Sequence, residues 1–105
     1  MKNSVTFVST AFVGSFVVAS AAVLADNINH HEAFQLQEQG VIKSFQSLGD
    51  IVLSLHPGAT IEDTELEREF GRYVYEVELR DTSELEWDVY LDAVTGEVLK
   101  NVQDD

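Results

Sequence analysis

Cysteine is absent from this chain of 105 residues, and basic side chains are scarce. Without cysteine the protein has neither a disulfide nor a thiolate that could act as nucleophile or metal ligand, so its stability must come from packing. Lys and Arg number 6 against 19 Asp and Glu, which gives a formal net charge of −13 at pH 7. Because a field of this sign repels phosphate groups, the composition argues against nucleic acid and anionic membrane surfaces as partners. It favours a basic protein or a cation.

Patterns that support catalysis are also missing. The sequence has no Ser-His-Asp arrangement and no glycine-rich phosphate loop. Paired acids occur, but on strand-like segments without the apolar cleft that would raise the pKa of one of them. His30 and His31 are neighbours that a regular helix turns about 100° apart, and no third ligand follows at a useful spacing. We therefore predict a protein that is not an enzyme, with no catalytic residue, no cofactor and no metal site.

The first 25 residues contain no acid, unlike the rest of the chain. Lys2 precedes an apolar stretch from Val5 to Val23, and Val23-Leu24-Ala25 suits a cleavage site. We predict a helical signal peptide over residues 1–25, cleaved near Ala25, and hence a periplasmic or secreted protein that meets the membrane only during export. The alternative is an uncleaved anchor, because the stretch approaches the roughly 20 residues that span a bilayer. The remaining residues suffice for one domain.

Helical spacing appears after a polar segment. Residues 26–43 predict a flexible or short helical lead-in, because few of them are apolar. Apolar side chains then recur at spacings of three and four up to Leu55, which indicates a helix with one apolar face. Ser44 or Ser47 could cap its start, and Pro57 disfavours helical geometry at His56, where the helix should end.

Beyond Pro57 the period changes from helical to alternating. Strands are predicted over residues 64–70, 73–80, 85–92 and 97–102, with turns at Gly71, at 81–83 and at Gly96. The fold class is α+β, with one main helix packed on a three- to four-stranded antiparallel meander and preceded by the signal-peptide helix. Residues 44–105 form the folded domain in this interpretation.

The two central strands sort their side chains by polarity. Tyr73, Tyr75 and Trp87 fall on the face that should meet the helix, and acids fall on the opposite face. That opposite face is the candidate partner-binding surface, in which Tyr90 is the exposed aromatic. Its predicted members are Glu76, Glu78, Glu86, Asp88, Tyr90 and Asp92.

Five segments of the chain resemble the PepSY family, which occurs in propeptides of secreted bacterial peptidases and in small exported bacterial proteins. They are Pro57-Gly58-Ala59-Thr60-Ile61, Glu65-Leu66-Glu67, Tyr73-Val74-Tyr75-Glu76-Val77, Trp87-Asp88-Val89-Tyr90-Leu91-Asp92 and Thr95-Gly96-Glu97-Val98-Leu99, within residues 45–102. The resemblance implies a helix packed on an antiparallel sheet and a bacterial, periplasmic protein. It also implies inhibitory or regulatory contacts with another protein, commonly a peptidase.

Residues and resemblance together predict a non-catalytic protein-binding module that inhibits a peptidase or regulates a membrane-associated partner such as a sensor protein. It would bind through its sheet, either at an edge strand, where an open meander leaves unpaired backbone groups, or on the acidic face. The alternative is a sensor that binds a divalent cation or a small ligand on its acidic face. The identity of the partner, inhibition against activation, and the oligomeric state stay open at this stage.

Overall fold

A five-stranded antiparallel sheet forms the body of the protein. The computed structural model describes residues 25–104, in which the strands are β1 (Ala25–Asn27), β2 (Thr60–Glu69), β3 (Arg72–Arg80), β4 (Glu86–Asp92) and β5 (Val98–Asp104). Their spatial order is the same as their order in the chain. Two helices, α1 (His30–Glu38) and α2 (Phe45–Leu55), pack on one side of the sheet. The architecture is therefore a two-layer α+β fold whose other sheet face is left open.

Helix α2 begins and ends where the sequence indicates. Ser44 is the N-cap, and its hydroxyl accepts a hydrogen bond of 3.1 Å from the Ser47 amide. Its C-cap is His56, the residue before Pro57, as the restriction on pre-proline residues predicts. Leu48 and Val52 are fully buried from this helix. The ring of Phe45 lies 4.9 Å from that of Tyr75 on β3, so α2 packs directly on the sheet.

The lead-in segment is more ordered than its composition suggests. Asn29 caps α1 by accepting a 2.8 Å hydrogen bond from the Glu32 amide, and α1 buries Ala33 and Leu36 in the same core as α2. Before it, β1 pairs with the end of β2. The prediction of one main helix on three to four strands gave too few elements, because the described residues form two helices and five strands. The predicted signal peptide lies outside the described residues, apart from Ala25.

Strand limits differ from the predicted ones at β2 and β5. β2 starts at Thr60 and not near Thr64, because a register shift between Ile61 and Asp63 interrupts its alternation without ending its pairing with β3. β5 continues to Asp104, because its polar end pairs with Glu86 on β4. In both cases the neighbouring strand extends a segment whose own sequence pattern is weak.

The predicted sorting of side chains in the central strands is observed. Val77, Leu79, Val89 and Leu91 are buried against the helices. Trp87 packs partly against the same core and donates a 2.9 Å hydrogen bond to the Asp81 carboxylate in the β3–β4 turn. We call the helix-covered side of the sheet the inner face and the other side the outer face. Among the described residues, none of the helices is long and apolar enough to cross a membrane.

Candidate functional site

The outer face of the sheet collects most of the acidic side chains of three strands. Pairing sets β2 against β3 so that Glu65 opposes Glu76 and Asp63 opposes Glu78, and β4 sets Asp88 against Glu78 on the other side. Like charges on neighbouring strands repel one another, so this arrangement costs stability. We refer to this set as the acidic face. Its members are Asp63, Glu65, Glu67, Glu69, Glu76, Glu78, Glu86 and Asp88.

Glu76 has the most perturbed carboxyl group of the acidic face. Partial burial raises its pKa to about 8, with further increases from a hydrogen bond to Glu67 and from the charges of Glu67, Glu65 and Glu69. A hydrogen bond between two carboxyl groups requires a proton on one of them. At neutral pH, Glu76 and its neighbours therefore hold a proton that isolated carboxylates would release.

Glu76 also lines a shallow depression of about 100 Å³ in the acidic face. Burial, followed by the charges of Asp63 and Asp88, raises the pKa of Glu78 on the same rim. The lining residues are Asp63, Glu65, Glu76, Val77, Glu78, Asp88 and Tyr90. Negative charge therefore surrounds the depression, which is suited to positively charged groups of another molecule.

Tyr90 provides an aromatic ring at the edge of this depression. It is half-buried and pairs in register with Glu76 on one side and Lys100 on the other. The Lys100 ammonium lies 4.7 Å from the centre of the ring, within the range of a cation–π contact. Burial, with smaller contributions from Glu76 and Asp88, raises the pKa of the Tyr90 hydroxyl. The ring therefore stays neutral and can contact both apolar and cationic groups.

Five of the six residues predicted for the binding surface share the exposed part of the outer face, and Asp92 does not. The Asp92 side chain is on the same side of the sheet, but the residue is only 9% exposed. One of its oxygens accepts hydrogen bonds from the amides of Val94 and Thr95, at 2.8 and 3.0 Å. Asp92 thus holds the β4–β5 turn. Glu86 is exposed but is paired with Arg80 at 2.8 Å.

Four carboxylates from β2 complete the acidic face and do not belong to the surface predicted from the sequence. They stand two residues apart, a spacing that places them on one side of a strand: Asp63, Glu65, Glu67 and Glu69. That alternation was the signal that could have identified them.

Glu65, Glu67 and Glu76 also form the one group in the described residues that could hold a metal ion. One carboxylate oxygen from each lies within 4.8 Å of the others. Oxygen ligands of this kind suit a hard divalent cation such as Ca²⁺. His30 and His31 are exposed at the start of α1 and do not belong to this group.

Comparison with known proteins gives a family assignment. The family model described as "PepSY: Peptidase propeptide and YPEB domain" matches residues 46–101, from the second residue of α2 into β5. The match covers more than half of the chain and agrees with the resemblance seen in the sequence. Neither a curated protein nor a solved structure matches the chain at a comparable standard. The helix, the meander and the matched residues together establish that this chain belongs to the PepSY family.

Proposed function

We propose that the protein is a non-catalytic module that binds a basic protein partner through its acidic face. The supporting observation is that this face is open to solvent and that its carboxylates repel one another, as the raised pKa of Glu76 indicates. A partner that brings Lys or Arg side chains against the face offsets this repulsion, which the proton held at Glu76 and the Arg80–Glu86 pair relieve in part in the isolated protein.

The geometry of the acidic face favours an extended or helical basic segment over a small molecule. The depression of about 100 Å³ is too small to enclose a drug-sized ligand, for which pockets of roughly 300–1,000 Å³ are usual. Tyr90 adds a ring of the kind that commonly anchors protein interfaces. Glu76, Glu78 and Asp88 surround it with charge from two strands.

The family description points to the class of partner. Because the matching model is described as a peptidase propeptide domain, a peptidase that this protein inhibits is the first partner to test. A membrane-associated protein that it regulates is the second.

For either partner we propose a periplasmic or secreted location of this protein. N-terminal sequencing of the exported protein should then begin at Asp26.

Charge reversal on the acidic face tests the binding proposal. Glu76, Glu78 and Asp88 are changed together to Lys in one variant. The matched control changes the exposed acids Glu38, Asp50 and Glu97 to Lys, which alters the formal net charge equally but away from the face. Peptides are selected from a random display library on the wild-type protein, and their affinities for the three proteins are measured by calorimetry.

We expect the selected peptides to be rich in Lys and Arg. Their affinity should fall at least tenfold in the face variant and change little in the control. The same three proteins are then used to recover partners from an extract of exported bacterial proteins. If both variants lose peptide binding equally, overall charge determines the binding and the proposal is wrong.

A second candidate function is the binding of a divalent cation by Glu65, Glu67 and Glu76. Its specific support is that one carboxylate oxygen of each residue lies within 4.8 Å of the others. Two oxygens that bind one Ca²⁺ at about 2.4 Å lie up to about 5 Å apart, so the three oxygens are close enough to share an ion. Titration calorimetry with CaCl₂ should then give heat with wild-type protein and none with Glu67→Gln. Glu38→Gln serves as the control and should bind as wild type. Absence of heat from wild type at millimolar Ca²⁺ would leave only the protein-partner proposal.

A further inference from the structure

Strand β5 forms a free edge of the sheet. It pairs with β4 on one side, and within residues 25–104 its other side has no strand next to it. All seven of its residues, Val98–Asp104, are exposed. A strand at a sheet edge presents backbone N–H and C=O groups that another strand can pair with. The opposite edge is less suitable. There β1 is only three residues long, and the part of β2 that it leaves unpaired, residues 60–65, contains a register shift and three acids but no basic residue.

Charges on β5 are distributed so that the strand complements itself. Lys100, Val102 and Asp104 all project from the outer face, because they pair with Tyr90, Asp88 and Glu86 on that face. Val102 lies midway between the ammonium and the carboxylate and is 43% exposed. The residues between them project from the inner face, where Asn101 contacts His56 at 2.8 Å.

Antiparallel pairing of two β5 strands about Val102 brings opposite charges together. In this register Lys100 of each copy faces Asp104 of the other, and the two Val102 side chains meet. Asn101 faces Gln103 on the inner side. Shifting the centre to Asn101 places Lys100 opposite Val102 instead, and a parallel arrangement sets like charges side by side. A lone Lys on an edge usually discourages pairing, but here Asp104 of the second copy neutralises it.

We propose that a second copy of this chain docks on β5, antiparallel and centred on Val102, to give a continuous ten-stranded sheet with two-fold symmetry. This proposal does not rest on the acidic face as a partner-binding surface. Both acidic faces stay open on the same side of the extended sheet. The dimer therefore presents two such faces to one partner, which increases avidity without a new contact. A single strand pair is a small interface, so association is weak and must be measured at high concentration.

Charge exchange between protomers provides the test. Sedimentation equilibrium is measured on the purified protein up to about 1 mM, with Lys100→Asp, with Asp104→Lys, with an equimolar mixture of these two variants, and with the double variant. Each single variant places like charges opposite each other in its own dimer. The mixture places the introduced carboxylate of one variant opposite the introduced ammonium of the other, and the double variant restores both pairs with the signs exchanged.

We expect wild type, mixture and double variant to dimerise, and each single variant to dimerise at least tenfold more weakly. Circular dichroism confirms that every variant is folded, which matters because Lys100 also contacts Tyr90. Association in the mixture requires both variants to be folded, so loss of structure and loss of pairing are distinguishable. A wild-type protein that stays monomeric at 1 mM overturns the proposal. Single variants that dimerise as strongly as wild type would also overturn the proposal. A mixture that does not associate would overturn it too.

Discussion

Glu76 lies in the middle of the sheet and carries a charge that the fold disfavours. Neighbouring carboxylates on β2 and its own partial burial raise its pKa to about 8. The folded state therefore prefers protonated Glu76, whereas the unfolded chain releases that proton near pH 4.5. It follows that this residue stabilises the protein below the unfolded pKa, and that the stabilisation is lost as the pH rises through about 8.

Replacement of this residue should therefore change the pH dependence of stability. Glu76→Gln removes the charge and retains the shape, so the variant should be more stable than wild type at pH 9 by about 1 kcal/mol. This value is well below the full effect of the pKa shift because water still reaches the half-buried carboxyl group and screens its neighbours. Near pH 5 the two proteins should have similar stability. Urea unfolding followed by Trp87 fluorescence at pH 5, 7 and 9 measures the difference.

The control for this prediction is Glu38→Gln, which removes one negative charge from the exposed surface of α1. It should follow the wild-type pH dependence. If the stability of Glu76→Gln also has the wild-type pH dependence, the close packing of carboxylates around Glu76 has no energetic effect. The central argument for the acidic face is then lost.

At the scale of single elements, the β2–β3 hairpin contains a strained residue. Phe70 and Gly71 form its two-residue turn, with φ values of 51° and 79°. Hairpin turns in which both central residues have positive φ favour Asn-Gly, because a bulky side chain at the first position is strained. Phe70 is also 74% exposed, so its ring gains little from packing.

Phe70→Asn should therefore stabilise the protein by about 0.5–1 kcal/mol. Thermal unfolding by circular dichroism measures the change in midpoint. Phe70→Leu is the matched control, since it removes the ring and leaves a bulky residue with positive φ. Equal midpoints for the Leu and Asn variants would show that the turn geometry carries no strain. If the exposed ring contacts a partner, Phe70→Asn should weaken that binding while stabilising the free protein.

At the scale of the whole molecule, the folding unit extends beyond the residues that match the family model. Ile28, Ala33, Leu36 and Ile42 precede the match and belong to the buried core. Burying each large aliphatic side chain contributes about 1.5–3 kcal/mol. The three large ones together contribute an amount comparable to the net stability of a small domain, which is about 5–15 kcal/mol. The core therefore depends on α1 as well as α2.

A chain that begins at Ser44 should consequently be largely unfolded at 25 °C, even though it contains α2 and strands β2 to β5. Circular dichroism and the dispersion of amide signals in an NMR spectrum measure this. A chain that begins at Ile28 lacks β1 but keeps α1, and it is the control, which we expect to fold. A well-folded chain from Ser44 would mean that the PepSY match by itself delimits the domain and that α1 is an accessory.

Local patterns in the sequence determined the central part of the fold. Ser44 and Pro57 set the limits of α2, because a capping side chain and a pre-proline restriction act within a few residues. Alternation of apolar and polar residues from Tyr73 to Asp92 assigned the side chains of β3 and β4 to two faces, because successive side chains of a strand point to opposite sides whatever the strand pairs with. Those two strands supplied Glu76, Glu78, Glu86, Asp88 and Tyr90 of the candidate surface. The family resemblance rested on the same segments.

Only the tertiary structure decided the features that depend on strand pairing. β1 has three residues and no alternation of its own, and it becomes a strand because the side of β2 that faces away from β3 accepts it in antiparallel pairing. The raised pKa of Glu76 depends on Glu65 and Glu67, which pairing brings from a different strand. Asp92 alternates correctly onto the outer face, yet the β4–β5 turn engages its oxygens. Distances between segments that are remote in the chain set these properties, and no local period encodes such distances.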